Sequence, residues 1–156
     1  MSAWRHARAI VLLPGTVTIA VPALLLVTGD DARIAPWPMA LLGAALIGAG
    51  FALWLWTVRL FARIGRGTLA PWDPTRRLVV EGPYRHVRNP MISAVAAVLL
   101  GEALLFRSTA LLILFLVFLA INTAYFVLSE EPGLERRFGD EYREYKRTVP
   151  RWVPRR

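Results

Sequence analysis

The sequence predicts an all-α, polytopic membrane protein with about four transmembrane helices and a C-terminal amphipathic interfacial helix. Hydrophobic residues make up 56% of the 156 residues and charged residues only 19%, a balance too apolar for an ordinary soluble domain. The apolar residues are also concentrated in stretches that reach the roughly 20 residues needed to cross a bilayer. We therefore expect a single membrane domain that covers residues 1–156.

Four stretches are predicted to span the membrane. Three carry no charged side chain, and the other is interrupted only by Glu102. On the second span, small residues are spaced so that another helix could approach closely, namely Gly43, Ala44, Gly48 and Ala49. The predicted spans cover residues 9–28, 34–58, 90–106 and 108–129.

The distribution of charge predicts the topology. Basic residues precede the first span, fill the segment between the second and third spans, and follow the last span, whereas the first loop holds Asp30, Asp31 and a lone Arg33. By the positive-inside rule both termini and the interfacial segments 63–89 and 130–156 face the cytosol. The net charge of +8 is then expected to contact anionic lipid headgroups rather than nucleic acid, and no obligate protein partner is expected.

The segment after the fourth span predicts an amphipathic helix. Pro132 and Gly133 are expected to break the chain there. Beyond them, apolar and aromatic residues recur every three or four positions among charged residues: Leu134, Phe138, Tyr142, Tyr145 and Val149. This spacing predicts a helix along the cytosolic interface, with its aromatic face towards lipid or against the bundle.

A helix start is predicted at Asn89-Pro90, at the cytosolic end of the third span. Asparagine is favoured as an N-cap, and proline is favoured at the first helical position. The free N–H groups of this start, next to Arg85 and Arg88, would suit a small anion such as a carboxylate. A capped helix whose arginines contact lipid headgroups accounts for the same residues equally well.

Glu130 and Glu131 lie at the cytosolic end of the fourth span, where the helix dipole opposes negative charge. They therefore require a cationic partner, either Arg85 or Arg88 in an ion pair or the ammonium or sulfonium of a ligand. Because the third and fourth spans form a hairpin, this pair and the helix start should be close together. One pole for an anion and one for a cation would suit a zwitterionic ligand such as an amino acid moiety.

The composition argues against a metal centre. The chain has no cysteine and two histidines, so neither a thiolate site nor a multi-histidine site is expected.

Two ordered motifs carry a resemblance to known enzymes. GPYRHVRNPM (82–91) is followed, after a helical hairpin, by EEPGLERRFGDEYREY (130–145) and VPR (149–151). Over roughly its C-terminal half the chain resembles the isoprenylcysteine carboxyl methyltransferase family and the related phospholipid methyltransferases. The resemblance implies methyl transfer from S-adenosylmethionine bound near the cytosolic surface. It also implies a cofactor site lined on one side by Tyr84, Val87, Arg88, Asn89 and Pro90, and on the other by Glu130, Glu131 and Leu134.

Two departures from the family pattern bear on the acceptor. Asn89 stands where many members of the family have histidine, and an asparagine cannot titrate near neutrality. Residues 108–129 also lack the arginine that carboxylate-methylating members are expected to carry just before the glutamate pair. These departures favour a lipidic amine, hydroxyl or other lipophilic acceptor that enters sideways from the bilayer.

Glu102 is a candidate base towards the acceptor, because an acid inside a span is costly and often functional. It could instead reach the outer interface or pair with Arg107.

Two other functions fit the same topology. One is an NADPH-dependent membrane reductase of the sterol-reductase type, although the compact cytosolic part leaves little surface for a second nucleotide half. The other is a non-enzymatic, lipid-binding membrane scaffold.

Overall fold

The computed structural model describes residues 14–29, 33–60, 63–64 and 78–152. Within these residues the chain is helical and contains no strand, which confirms the predicted all-α class. A short 3₁₀ turn, Gly82–Arg85, precedes the second half of the bundle. The helices are α1 (Thr16–Thr28), α2 (Trp37–Leu60), α3 (Pro90–Leu105), α4 (Thr109–Phe138) and α5 (Asp140–Thr148).

Among the described residues, two helices are long and apolar enough to cross a membrane. They are α2, with 24 residues, and α4, with 30 residues. The described part of α1 and the 16 residues of α3 are apolar but shorter. The count of four spans therefore stays a prediction, and residues 9–13 of the first predicted span lie outside the described residues.

Glycines bring α2 and α3 into direct backbone contact. A Cβ atom added to Gly43 would lie 2.7 Å from the carbonyl oxygen of Gly101, and one added to Gly50 would lie 2.7 Å from that of Ala94. The pairing runs antiparallel, since the later residue on α2 meets the earlier residue on α3. The predicted close approach is right for Gly43 but wrong for Gly48, around which a Cβ would meet nothing within 4 Å.

The α3–α4 turn closes the end of the bundle opposite the two motifs. Arg107 adopts a left-handed conformation there (φ 46°), and the Ser108 side chain caps α4 by accepting a hydrogen bond from the Leu111 N–H. The connection before α2 is fastened to the same turn, because the Ala35 N–H donates to the carbonyl of Leu105 at 2.9 Å. These bonds satisfy backbone groups that a helix end would otherwise leave unpaired.

The predicted break at Pro132-Gly133 is wrong, because α4 continues through both residues to Phe138. A proline removes one N–H from the helical ladder, and α4 has a π turn directly before it, Phe126–Glu130, where the bonding pattern changes without ending the helix. The break falls instead at Gly139, whose φ of +55° suits glycine.

Helix α5 folds back onto the bundle after Gly139. Its buried residues Tyr142 and Tyr145, with Val149, pack against Leu78, Leu134 and Phe138. The prediction allowed the aromatic face of this helix to lie towards lipid or against the bundle. In the structure it packs against the protein. Of the predicted interfacial segment 63–89, residues 78–89 form a loop with the short 3₁₀ turn Gly82–Arg85, while 65–77 lies outside the described residues.

Candidate functional site

A buried carboxylate, that of Glu131, lies at the centre of the two motifs. Its side chain is 7% exposed. Oε1 accepts from Arg88 Nη1 at 2.8 Å and from Arg151 Nε at 2.9 Å, and Oε2 lies 3.2 Å from Lys146 Nζ. Three cations from three chain segments therefore meet at one acid, and the predicted proximity of the two motifs is confirmed. We call these four residues the Glu131 cluster.

Arg88 is held at both its backbone and its side chain. Its N–H donates to the carbonyl oxygen of Pro150 at 2.9 Å, and its guanidinium also lies against the Tyr142 hydroxyl. Only 10% of the side chain is exposed, and within the described part of the chain the buried Nε has no hydrogen-bond partner. A buried donor without a partner is costly, so Arg88 Nε is a donor that the fold leaves available.

Tyr84 and Val87 form the buried wall of the first motif. Both are 8% exposed, and the Tyr145 hydroxyl donates to the Tyr84 carbonyl oxygen at 2.7 Å. Burial raises the pKa of the Tyr84 and Tyr145 hydroxyls above their usual range. Both phenols therefore stay neutral at physiological pH.

Asn89 and Pro90 stand at the start of α3, as predicted, but the expected side-chain cap is wrong. The Asn89 side chain makes no capping hydrogen bond, whereas its carbonyl oxygen accepts from both the N–H and the Oγ of Ser93, each at 3.0 Å. Asn89 is half-buried beside a helix start whose first N–H groups point away from the helix. The positive end of α3 therefore lies next to Arg88 without an asparagine cap.

Glu130 differs from its neighbour Glu131 because it has no hydrogen bond or ion pair among residues 14–29, 33–60, 63–64 and 78–152. It is half-buried and close enough to the Tyr84 and Tyr142 hydroxyls to raise the pKa of both. The 30 residues of α4 extend about 45 Å, well beyond a hydrocarbon core of about 30 Å, so Glu130 lies past the apolar span. Burial, and then the charge of Glu131, raise the pKa of Glu130 to about 7.

A region that includes both Arg88 and Glu131 matches a known family. The model of the phospholipid methyltransferase family matches residues 38–141, two thirds of the chain. The chain belongs to the phospholipid methyltransferase family. It is thus assigned to a family of membrane methyltransferases, which confirms the resemblance carried by the two motifs.

One curated relative and no solved structure accompany this match. An uncharacterized protein of Haemophilus influenzae is 42% identical over 38 residues, which cover 24% of this chain and 60% of that protein. No solved structure matches the chain.

The remaining predicted site residues separate into those that lie near the Glu131 cluster and those that do not. Leu134 packs on the α5 side, against Tyr142 and Tyr145. Glu102 stands twelve residues along α3 from Pro90, about 18 Å away, so the structure does not bring it to the site.

The sequence left two ion pairs as alternatives, one between Arg85 and the Glu130-Glu131 pair and one between Arg107 and Glu102. Neither is found among the described residues. Arg85 is exposed, and the cationic partner of Glu131 in the first motif is Arg88. Arg107 is also exposed and does not pair with Glu102, whose buried Oε2 has no partner in the same part of the chain.

Sequence reasoning missed the contribution of the C-terminal residues. Neither Lys146 nor Arg151 is among the predicted site residues, although Arg151 belongs to the VPR motif, yet both bind Glu131. Trp152, whose ring lies 5.7 Å from that of Phe126, fastens the same segment to α4. The available signal was Glu131 itself, since an acid that becomes buried beside an apolar span needs cationic partners.

Proposed function

We propose that this chain transfers a methyl group from S-adenosylmethionine to a lipophilic acceptor in the membrane, with the cofactor bound at the cytosolic ends of α3 and α4. The observation that carries the proposal is a pair of groups of opposite charge. Arg88 Nε and the Glu130 carboxylate lie at the meeting point of the two helices, and neither has a partner in the described part of the chain. They fit the carboxylate and the ammonium of a methionine moiety.

Each residue predicted to line the cofactor then has a role. Arg88 and the first N–H groups of α3, at Asn89-Pro90, bind the ligand carboxylate, and Glu130 binds its ammonium. The buried Tyr84 and Val87 and the half-buried Leu134 supply walls that exclude water. Glu131 is assigned to Arg88 rather than to the ligand, because its oxygens are already engaged by three cations.

The chemistry follows from this placement. When bound, S-adenosylmethionine supplies an electrophilic methyl group on a positively charged sulfur. That methyl group would pass to a lone pair of the acceptor, the electron pair of the broken carbon–sulfur bond would stay on sulfur, and an amine acceptor would release its proton to water. The chain contributes alignment of the two reactants and exclusion of water, which account for much of such a rate enhancement.

The same proposal includes a multi-pass topology with both termini in the cytosol. It is supported by the concentration of arginines at the site end of the bundle, in contrast to Arg33 and Arg107 at the other end. Two exposed arginines of α5 are paired with acids one turn away, Arg143 with Asp140 and Arg147 with Glu144. Contacts with anionic lipid headgroups are therefore assigned to other basic residues, such as the exposed Arg85 and Arg136.

Calorimetric titration of the protein in lipid nanodiscs tests the proposal. We expect saturable binding of S-adenosylmethionine and none of NADPH. Incubation with methyl-labelled S-adenosylmethionine and a membrane lipid extract should move label into the organic phase. Preferential binding of NADPH would support a reductase instead, and binding of neither cofactor would support a scaffold.

A matched pair of variants locates the site. Glu130→Gln removes the unpaired charge without breaking an ion pair of the described residues, and we expect it to weaken S-adenosylmethionine binding roughly tenfold or more. Glu141→Gln removes an exposed charge from α5 and should leave binding unchanged. Equal affinities for the two variants would remove Glu130 from the site.

A further inference from the structure

We infer that Arg151 is a positioning residue, which acts through Glu131 to hold the Arg88 side chain at the start of α3. Arg151 is not expected to touch either reactant. This inference rests on the proposed function, because it is there that Arg88 is assigned to the ligand carboxylate.

Arg151 fixes the Glu131 carboxylate more fully than Arg88 does. Its Nε and Nη2 both approach Oε1, at 2.9 and 2.8 Å, whereas Arg88 uses Nη1 alone. Two donors on one rigid guanidinium restrain the position of that oxygen more than a single donor does. Arg88 is therefore bound to a carboxylate whose place is set by another arginine.

The chain around Arg151 holds Arg88 a second time. We call residues 149–152 the C-terminal strap. Pro150, the residue before Arg151, accepts the Arg88 N–H at 2.9 Å, and Trp152, the residue after it, packs against Phe126 at the start of the π turn that leads to Glu130 and Glu131. The strap thus connects the start of α3 to the region of the π turn in α4. Arg151 supplies the charged contact of the strap, to Glu131.

Burial makes the arrangement sensitive to the loss of Arg151. The Glu131 and Arg88 side chains are 7% and 10% exposed, so water cannot readily replace a missing partner. Without Arg151, the Glu131 carboxylate is left between Arg88 and Lys146, and Lys146 is shared with Glu135 at 2.8 Å. A carboxylate with fewer donors is free to turn, and Arg88 Nε then loses its fixed direction.

A thermodynamic cycle on ligand affinity tests the inference. In nanodiscs, we expect Arg88→Gln to raise the Kd for S-adenosylmethionine roughly 10- to 100-fold, since a charge-assisted hydrogen bond is lost. Arg151→Gln should raise it about tenfold. If Arg151 acts through Arg88, the double variant should bind no more weakly than Arg88→Gln alone. A Kd raised by the product of the two single effects would overturn the inference, and so would an unchanged Kd for Arg151→Gln.

Two further variants separate positioning from folding. Arg151→Lys keeps the charge but presents a single donor group, so its Kd should fall between those of the wild type and Arg151→Gln. Arg147→Gln removes an exposed arginine of α5 and should change nothing. Titrations are run well below the melting temperature of every variant, where a purely structural role for Arg151 predicts wild-type affinity.

The steady-state parameters give an independent readout. Arg151→Gln should raise the KM for S-adenosylmethionine and leave the KM for the acceptor unchanged; equal increases in both would overturn the inference. Wild-type protein that binds no S-adenosylmethionine overturns the proposed function and this inference with it. Wild-type binding together with an additive cycle overturns only the role of Arg151.

Discussion

The α2–α3 interface and the Glu131 cluster hold the same bundle together by opposite means. At the interface, Gly43, Gly50 and Gly101 remove side chains so that two backbones touch. In the Glu131 cluster, buried charged side chains bring together segments that are far apart in sequence. The first arrangement depends on shape and is indifferent to pH, whereas the second depends on every partner being present and charged.

The largest effect is expected at the Glu131 cluster. Glu131→Ala leaves the Arg88 and Arg151 guanidinium groups without their shared carboxylate in a buried setting, which should cost about 3–5 kcal/mol of unfolding free energy. Thermal unfolding in detergent measures this loss. Glu144→Ala breaks an exposed pair with Arg147 and should cost less than about 1 kcal/mol. Similar losses for the two variants would show that burial does not distinguish the pairs.

Gly43→Ala tests the other side of the comparison. The added methyl group would lie 2.7 Å from the Gly101 oxygen and 2.9 Å from the Leu105 nitrogen, both backbone atoms that cannot turn aside. We expect a loss of about 1–3 kcal/mol. Gly48→Ala, on the same helix, meets open space and should be neutral or stabilising by up to about 1 kcal/mol. The same unfolding assay compares them, and a stabilised Gly43→Ala would contradict the observed close approach.

These glycines also show how far sequence predicts the fold. Small residues in a predicted span indicate that some face of it packs closely, and Gly43 does pack closely. Positions 44, 48 and 49 are exposed, however, while Gly50 is buried against Ala94. Which face of α2 meets α3 depends on how the helix is rotated in the bundle, and an apolar helix with small residues on more than one face does not specify that rotation.

The candidate site was predicted in part for a similar reason. Arg88 and Glu131 come together because they lie at the same end of a helical hairpin, which the order of the spans implies. Arg151 could not be placed in this way. Its approach to Glu131 depends on α4 continuing past Pro132 and on the chain reversing at Gly139, whose left-handed conformation no spacing rule identified.

The pH dependence of ligand binding sharpens the contrast between the two glutamates. The pKa of Glu130 is raised to about 7 by burial and by the charge of Glu131, and the Tyr84 and Tyr142 hydroxyls beside it are neutral. An ammonium binds the ionised carboxylate, so affinity should fall as pH decreases through 7. We expect the Kd for S-adenosylmethionine to rise roughly five- to tenfold between pH 7.5 and pH 6. Calorimetry on Glu130→Gln should show no such rise, and a rise in that variant would assign the titration to another group.

The smallest effect is expected for Trp54→Phe, on α2. The indole Nε1 of Trp54 is buried and has no hydrogen-bond partner in the described residues, although the ring stacks on Phe51. Trp54→Phe keeps an aromatic ring while removing the unpartnered donor, so a small loss of packing is offset by a removed desolvation cost. We expect the unfolding free energy to change by less than about 1 kcal/mol, whereas Trp54→Ala should cost about 3–5 kcal/mol.

The comparison of these two variants distinguishes ring packing from hydrogen bonding at Trp54. If Trp54→Phe were as damaging as Trp54→Ala, the indole N–H would be making a hydrogen bond that the described residues do not provide. This position would then depend on a polar partner, as the Glu131 cluster does. A near-neutral Trp54→Phe instead leaves the packing of the ring as the contribution of this residue.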